Sequence, residues 1–225
     1  LCRRYVADGM SVAKWREQRR VSPDLRVLLV VNPTEDLPGA DDEGRRVARV
    51  LASTAARVTE LRGSDATRLR LLDEFRSGQY DAIHYAGHAF FDASSPSSSG
   101  ILCAGGRVLS GADLASLEAL PALVCFNACE SGRLRQASQV QRALGRSTGF
   151  AEAFLRGGVA NFIGTWWPVS DAAAAVCAGT LYERLMRGET IGAALQAARG
   201  KVLKLGSADW ANYLHYGGFD FVLKK

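Results

Sequence analysis

Two side chains in this sequence have the chemistry and the setting for covalent catalysis: the thiol of Cys129 and the imidazole of His88. Each follows an apolar run that reads as a β-strand, 80–87 before the histidine and 122–127 before the Ala128-Cys129 pair. Where such strands lie side by side, a thiol and an imidazole meet at one sheet edge. A cysteine nucleophile needs that pairing, because the thiolate attacks while the imidazole handles the proton. On these residues alone the alternative is a buried structural cysteine and a histidine in a turn.

Metal and nucleotide chemistry fit less well. His84-x3-His88 and Cys125-x3-Cys129 have the look of paired ligands. Residues four apart on an extended strand, however, are separated by about 13 Å, whereas zinc ligands lie about 2.0–2.3 Å from the metal. Neither pair can chelate from a strand, so no metal site is expected, and His84 and Cys125 are expected to pack inside the sheet. No G-x-G-x-x-G follows a strand and no G-x-x-x-x-G-K-[ST] occurs, which leaves nucleotide binding without its phosphate cradle.

The elements that would position these groups alternate. A β-branched run at 26–31 stops at Asn32-Pro33, and an amphipathic helix follows over 39–56 with Val47, Val50 and Leu51 on its apolar side. A strand at 57–61, a helix at 66–76 (Leu69, Leu72 and Phe75 on one face) and a strand at 80–88 come next. Residues 92–100 form a Ser-rich surface loop, 100–110 a hairpin turning at Ala104-Gly105-Gly106, and 111–119 a helix capped by Ser110. A fourth strand covers 122–127, a polar Arg-rich stretch 133–148, a helix 149–156, a fifth strand 159–167, and two helices 171–187 and 190–205. Five alternations define an α/β domain with a mainly parallel sheet covered on both faces. Ligands of open α/β sheets bind outside the carboxyl ends of the strands, which selects 32–33, 87–89, 127–129 and 165–171.

The composition suits an ordinary globular domain: 225 residues, 48% hydrophobic, 23% charged. The net charge of +5 invites a nucleic-acid reading. Its placement argues otherwise, since 1–26 holds seven bases against three acids and the remainder is nearly balanced. Nucleic acid would be met only indirectly, through that lead-in, with salt-sensitive affinity lost when 1–24 are removed. Five cysteines without disulfide-framework spacing point to free thiols and a cytoplasmic location. No apolar run is long enough to span a bilayer, so no membrane partner is expected. Residues 1–24 read as a basic lead-in joining an upstream domain, and 25–225 as the functional domain.

Three blocks in order, His84-Tyr-Ala-Gly-His88, Asn127-Ala-Cys129-Glu-Ser-Gly132 and Gly164-Thr-Trp-Trp-Pro-Val-Ser-Asp171, resemble the signatures of the CHAT family. CHAT domains are caspase- and separase-like cysteine peptidases of the clan that also holds legumain and clostripain. Gly100-Ile-Leu, Leu109-Ser-Gly-Ala-Asp-Leu and the ending Tyr213-Leu-His-Tyr-Gly-Gly-Phe agree as well. The resemblance runs from about Asp24 to the C-terminus. It implies a caspase-like three-layer α/β/α sandwich and a cysteine endopeptidase, with Cys129 as nucleophile, His88 as its proton-transfer partner and no metal or organic cofactor. The backbone N–H groups of Cys129 and Ala89 would form the oxyanion hole; family members often have glycine where Ala89 stands.

Asp171 occupies a position resembling the acidic separase residue that pairs with a basic P1 side chain, and it is also placed to cap the helix that follows it. Trp166 and Trp167 would wall the pocket, one of them packing into the core. Asn127, on the same face as Cys129 by strand alternation, would line S1. If P1 is basic, Arg133, Arg135, Arg142 and Arg146 make self-cleavage within 133–148 an option, against a merely solvated insertion. The resemblance further implies a protein substrate, a regulatory or sensor domain as partner, and a bacterial signalling or defence setting. A catalytically silent interaction domain that keeps the fold is the competing reading.

Overall fold

The computed structural model describes residues 24–90, 98–115, 121–128 and 159–223, with the backbone of residues 2 and 3. In chain order the elements are β1 (Cys2–Arg3), β2 (Arg26–Val31), α1 (Pro38–Ala52), β3 (Arg57–Arg62), α2 (Arg68–Arg76), β4 (Ala82–Gly87), β5 (Ala89–Phe90), β6 (Gly100–Leu102), β7 (Val108–Ser110) and α3 (Gly111–Ala115). Then come β8 (Leu123–Ala128), β9 (Asn161–Thr165), α4 (Asp171–Met186), α5 (Ile191–Lys204) and β10 (Tyr213–Tyr216). The main sheet runs β1-β10-β9-β8-β4-β2-β3, and β5, β6 and β7 form a small second sheet. Strands β3, β2, β4, β8 and β9 are parallel, while β10 runs antiparallel to β9.

The period of two in each strand divides the core into two layers. Val27, Leu29 and Val31 of β2 face one way with Leu123, Cys125 and Ile163, against Val47 and Leu51 of α1 and the apolar sides of α4 and α5. Leu28 and Val30 face the other way with Tyr85, Val124, Phe126 and Phe162, against Leu71, Leu72 and Phe75 of α2 and against Ile101 and Leu109 of the small sheet. This is the three-layer α/β/α arrangement with a mainly parallel sheet. In α2 the buried stripe is Leu71, Leu72 and Phe75, and Leu69 lies on its flank, 72% exposed. His84 and Cys125 are register partners buried in mid-sheet, as their strand positions require.

The sequence did not single out β10. Its four residues are all buried, so no alternation marks it. Residues 2 and 3, within the lead-in, pair with β10. Among the described residues no helix is long and apolar enough to cross a membrane.

In β10, His215 is 1% exposed and its Nε2 lies 2.9 Å from Asn161 Oδ1. Burial, then the charge of Arg199, pushes its pKa down to about 4 from 6.5. The folded state therefore holds the ring neutral, and the unfolded chain takes the proton first. Its contribution is fully present above pH 6.5 and declines as pH falls toward 4. The loss between pH 6.5 and 5 should be about 2 kcal/mol. Urea unfolding at pH 7 and pH 5 checks this, with His215→Gln expected to show a correspondingly smaller loss.

Candidate active site

The carboxyl ends of β2, β4, β8 and β9 lie along one edge of the sheet. From β2 the chain moves outward to β3 and then returns to β4 on the other side, so the crevice between β2 and β4 is the switch point of the topology. Next to that crevice, on the other side of β4, strands β4 and β8 end in register, Gly87 opposite Ala128. His88 is the residue after Gly87. Cys129, the residue after Ala128, lies outside the described residues, as do 133–148 and the predicted helix 149–156.

His88 is fixed from two sides. The Tyr85 hydroxyl reaches the His88 carbonyl at 2.6 Å and the Leu102 carbonyl at 2.8 Å. Gly87 makes room for that ring, since a β-carbon there would come within 2.6 Å of the Tyr85 oxygen. The His88 ring is held by Asp36, whose Oδ1 lies 3.0 Å from Nε2. The hydrogen bond from Thr34 is the largest influence on the Asp36 carboxyl; burial opposes it, and with the charge and hydrogen bond of His88 added the pKa lies below its ordinary range. An ionised carboxylate can only accept, so Nε2 must carry the proton of this bond. In the neutral ring Nδ1 is then the basic nitrogen, and it is buried without a hydrogen-bond partner among the described residues. The 88 side chain thus has a bound end and a free basic end.

The loop that delivers Asp36 is shaped by Asn32 at the end of β2. Asn32 sits at φ 46°, a conformation its short amide side chain tolerates. It receives Leu37 N–H on Oδ1 (3.1 Å) and donates to Asp41 Oδ2 (2.9 Å). The sequence reading marked Asn32-Pro33 as a strand end but overlooked Asp36, four residues along the same loop.

Beside His88, β5 meets β6 with Ala89 opposite Ile101. The His88 carbonyl accepts from Leu102 N–H at 2.9 Å. By the alternation of antiparallel ladders, Ala89 and Ile101 form the pair that exchanges no hydrogen bonds. The Ala89 N–H is thereby turned away from β6.

The segment after β9 is held from the C-terminal side. Asn212 is fully buried; its Oδ1 accepts Trp166 N–H (2.6 Å) and Trp167 N–H (2.8 Å), and its Nδ2 donates to the Trp167 carbonyl (2.7 Å). Asp209 accepts from Ser170 N–H (3.1 Å), the Ser170 hydroxyl (2.8 Å) and Trp167 Nε1 (3.2 Å). Burial raises the Asp209 pKa, but the Ser170 hydrogen bonds outweigh it, and the net shift is downward. Sequence reasoning missed both residues, because the partners lie 39 to 46 positions away. Trp166 packs against the core layer that contains Phe126 and Phe162, and Trp167 is 39% exposed.

Asp171 is the first residue of α4, and the capping position belongs to Ser170. The Asp171 carboxylate is exposed and makes no hydrogen bond or ion pair among the described residues. Of the aspartates near this edge, Asp36 is engaged by His88 and Asp41 by Asn32 and Arg62. Asn127 is 3% exposed on the α1 face of the sheet, where its Nδ2 donates to Glu43 Oε1 at 2.9 Å and Tyr213 donates to its Oδ1 at 3.4 Å.

Three other thiols are buried: Cys103, Cys125 and Cys177. Burial pushes Cys103 up to about 11 and raises Cys125 and Cys177 as well. None of the three is a ready thiolate.

A parallel sheet with an antiparallel strand at one side, helices on both faces and a histidine at its carboxyl edge is the architecture of the caspase-like cysteine peptidases. A family model for the CHAT domain matches residues 6–218, and the chain belongs to that family. Among solved structures it is similar to the Arg-specific cysteine proteinase gingipain R of Porphyromonas gingivalis, at 14% identity and a TM-score of 0.63, over 88% of this chain and 47% of that one. Saccharomyces cerevisiae separase, in its complex with securin, matches at 17% identity and TM-score 0.58, over 91% of this chain and 13% of separase. Protein GSU0716 of Geobacter sulfurreducens matches at 17% identity and TM-score 0.54, over 89% of this chain and 97% of that one. At such identities the likeness establishes the fold. The chain spans about half of the gingipain and a small part of separase. No curated protein matches it.

Proposed function

We propose that this domain is a cysteine endopeptidase in which Cys129 attacks the scissile carbonyl and His88 moves the proton. The observation that carries the reading is the register of β4 and β8, whose last residues, Gly87 and Ala128, stand opposite each other immediately before His88 and Cys129. His88 Nδ1 takes the thiol proton, and the thiolate sulfur adds to the peptide carbonyl carbon. The N–H groups of Ala89 and Cys129 receive the oxyanion. His88 then protonates the leaving amine, which departs and leaves a thioester. Water, deprotonated by the same nitrogen, releases the acyl half as a carboxylic acid and regenerates the thiol.

Asp171 supplies the charge for a basic P1 side chain, because it is the edge aspartate without a hydrogen-bond or ion-pair partner among the described residues. Trp167 is exposed enough to wall that pocket. Trp166, anchored to the core, backs it. Asn127 contributes through the strand that leads into the nucleophile. The substrate is a specific protein, cut under the control of a regulatory or sensor module in a signalling or defence pathway of the cytoplasm.

The test is a panel of peptides differing at P1 (Arg, Lys, Leu, Asp), incubated with wild type and Cys129→Ala. Cleavage by wild type alone, fastest after Arg or Lys, is expected. Equal turnover by both proteins removes the peptidase assignment. Cleavage that favours Leu or Asp keeps the peptidase and removes the acidic pocket.

A further inference from the structure

Asp171 does not stand free at the head of α4; its carboxylate lies directly over the α-carbon of Gly39, in the first turn of α1. Gly39 is buried, and a β-carbon at that position would overlap Cγ and Oδ1 of Asp171. Gly39 has no unusual backbone angle to account for its lack of a side chain. A glycine in a helix also costs stability relative to alanine. The vacancy is therefore filled by a carboxylate, not required by the chain path.

We infer that Gly39 is a specificity-determining position: its missing side chain is the seat that sets where the Asp171 carboxylate stands. The inference rests on the reading of Asp171 as the P1 acid. Two other features of this edge agree with it. Asp36, which holds His88, is three residues before Gly39, so one loop and helix start sets both the histidine and the seat. Asp171 is also exposed and has no internal hydrogen bond or ion pair among the described residues, so among these it is the packing on Gly39 that fixes the carboxylate.

An alanine at 39 would act on the carboxylate rather than on the fold. The overlapped atoms are the end of an exposed side chain, which can leave by rotating about χ1 to another staggered well. The helix gains a better helix former at the same time. The expected product is a folded domain whose acidic group has moved off its seat.

The experiment is a double-mutant cycle of wild type, Gly39→Ala, Asp171→Ala and the double variant. Two quantities are read for each: the ratio of kcat/KM for Arg over Leu at P1, and the melting temperature. A charge-assisted hydrogen bond supports a ratio of roughly ten to a hundred in wild type. Gly39→Ala should lower that ratio about tenfold, and adding it to Asp171→Ala should change the ratio no further. The alanine's helix propensity enters both arms of the cycle equally and cancels. Any cost of the overlap appears only where Asp171 is present, so Gly39→Ala should be the more stabilising in the Asp171→Ala background.

The failures are distinct. A wild type that cleaves none of the peptides overturns the peptidase reading, and this inference with it. A wild type that cleaves without preferring Arg overturns the P1 role of Asp171. A wild type that prefers Arg, with Gly39→Ala keeping the preference or the two substitutions adding independently, overturns the assignment of Gly39 alone.

Discussion

Cys129→Ala and His88→Ala are each expected to lower kcat/KM on the preferred peptide by about a thousandfold or more, and the double variant no further. Thiol and imidazole act as one unit in this proposal. Without the cysteine no thioester forms, and without the imidazole the thiol keeps its proton and the amine leaves unprotonated. Asp36 should fall between these limits and the wild type. Its carboxylate fixes the proton on Nε2 and so keeps Nδ1 basic, but it is 61% exposed, and water replaces part of what it supplies. Asp36→Ala should cost about ten- to a hundredfold, chiefly in kcat, with Asp36→Glu recovering part of it. Initial rates over a range of substrate concentrations separate kcat from KM. Activity within threefold of wild type in His88→Ala would remove the imidazole from the mechanism.

The parts of this site that rest on local pattern were readable in the sequence, and those that rest on long-range contact were not. The runs 26–31, 80–87 and 122–127 are apolar and end in turn residues, so the strand ends and His88 emerge from periodicity alone. The neighbouring order of β4 and β8 does not, because pairing between residues 41 apart depends on the whole sheet. Asp36 was overlooked because its loop has no regular period and is shaped by Asn32 at positive φ. Asp209 and Asn212 were invisible because each acts across a long stretch of chain, 39 positions in one bond and 46 in another, on the segment after β9. Gly39 reads as an unremarkable residue before an acidic helix start, and only the approach of α4 gives it a task. Glu43 was not singled out for a different cause: an acid near a helix front is an ordinary surface residue by type, although this one lies one turn before Val47 and two before Leu51, on the apolar face.

That inward turn makes Glu43→Ala the stability change with the largest expected cost. Glu43 is 2% exposed, and its Oε1 accepts from Asn127 Nδ2 at 2.9 Å, tying α1 to the strand that leads into Cys129. His84 Nε2 lies 2.9 Å from the same oxygen but off the line of a hydrogen bond, so the geometry supports a close polar contact and the Asn127 bond is the firm one. Alanine would leave the Asn127 amide and the fully buried His84 ring without a carboxyl neighbour and open a void between helix and sheet. Breaking one partner out of such a buried polar group costs about 3 kcal/mol, a large share of a domain's total of roughly 5–15 kcal/mol. Glu43→Gln keeps the shape and an acceptor for Asn127, so it should cost less than half as much. Urea unfolding of the two variants gives the comparison, and equal costs would mean that the acceptor at Asn127 is not what Glu43 provides. Since Asn127 stands two residues before the proposed nucleophile, the alanine variant should also lose peptide hydrolysis at temperatures where it remains folded, and the glutamine variant should lose less.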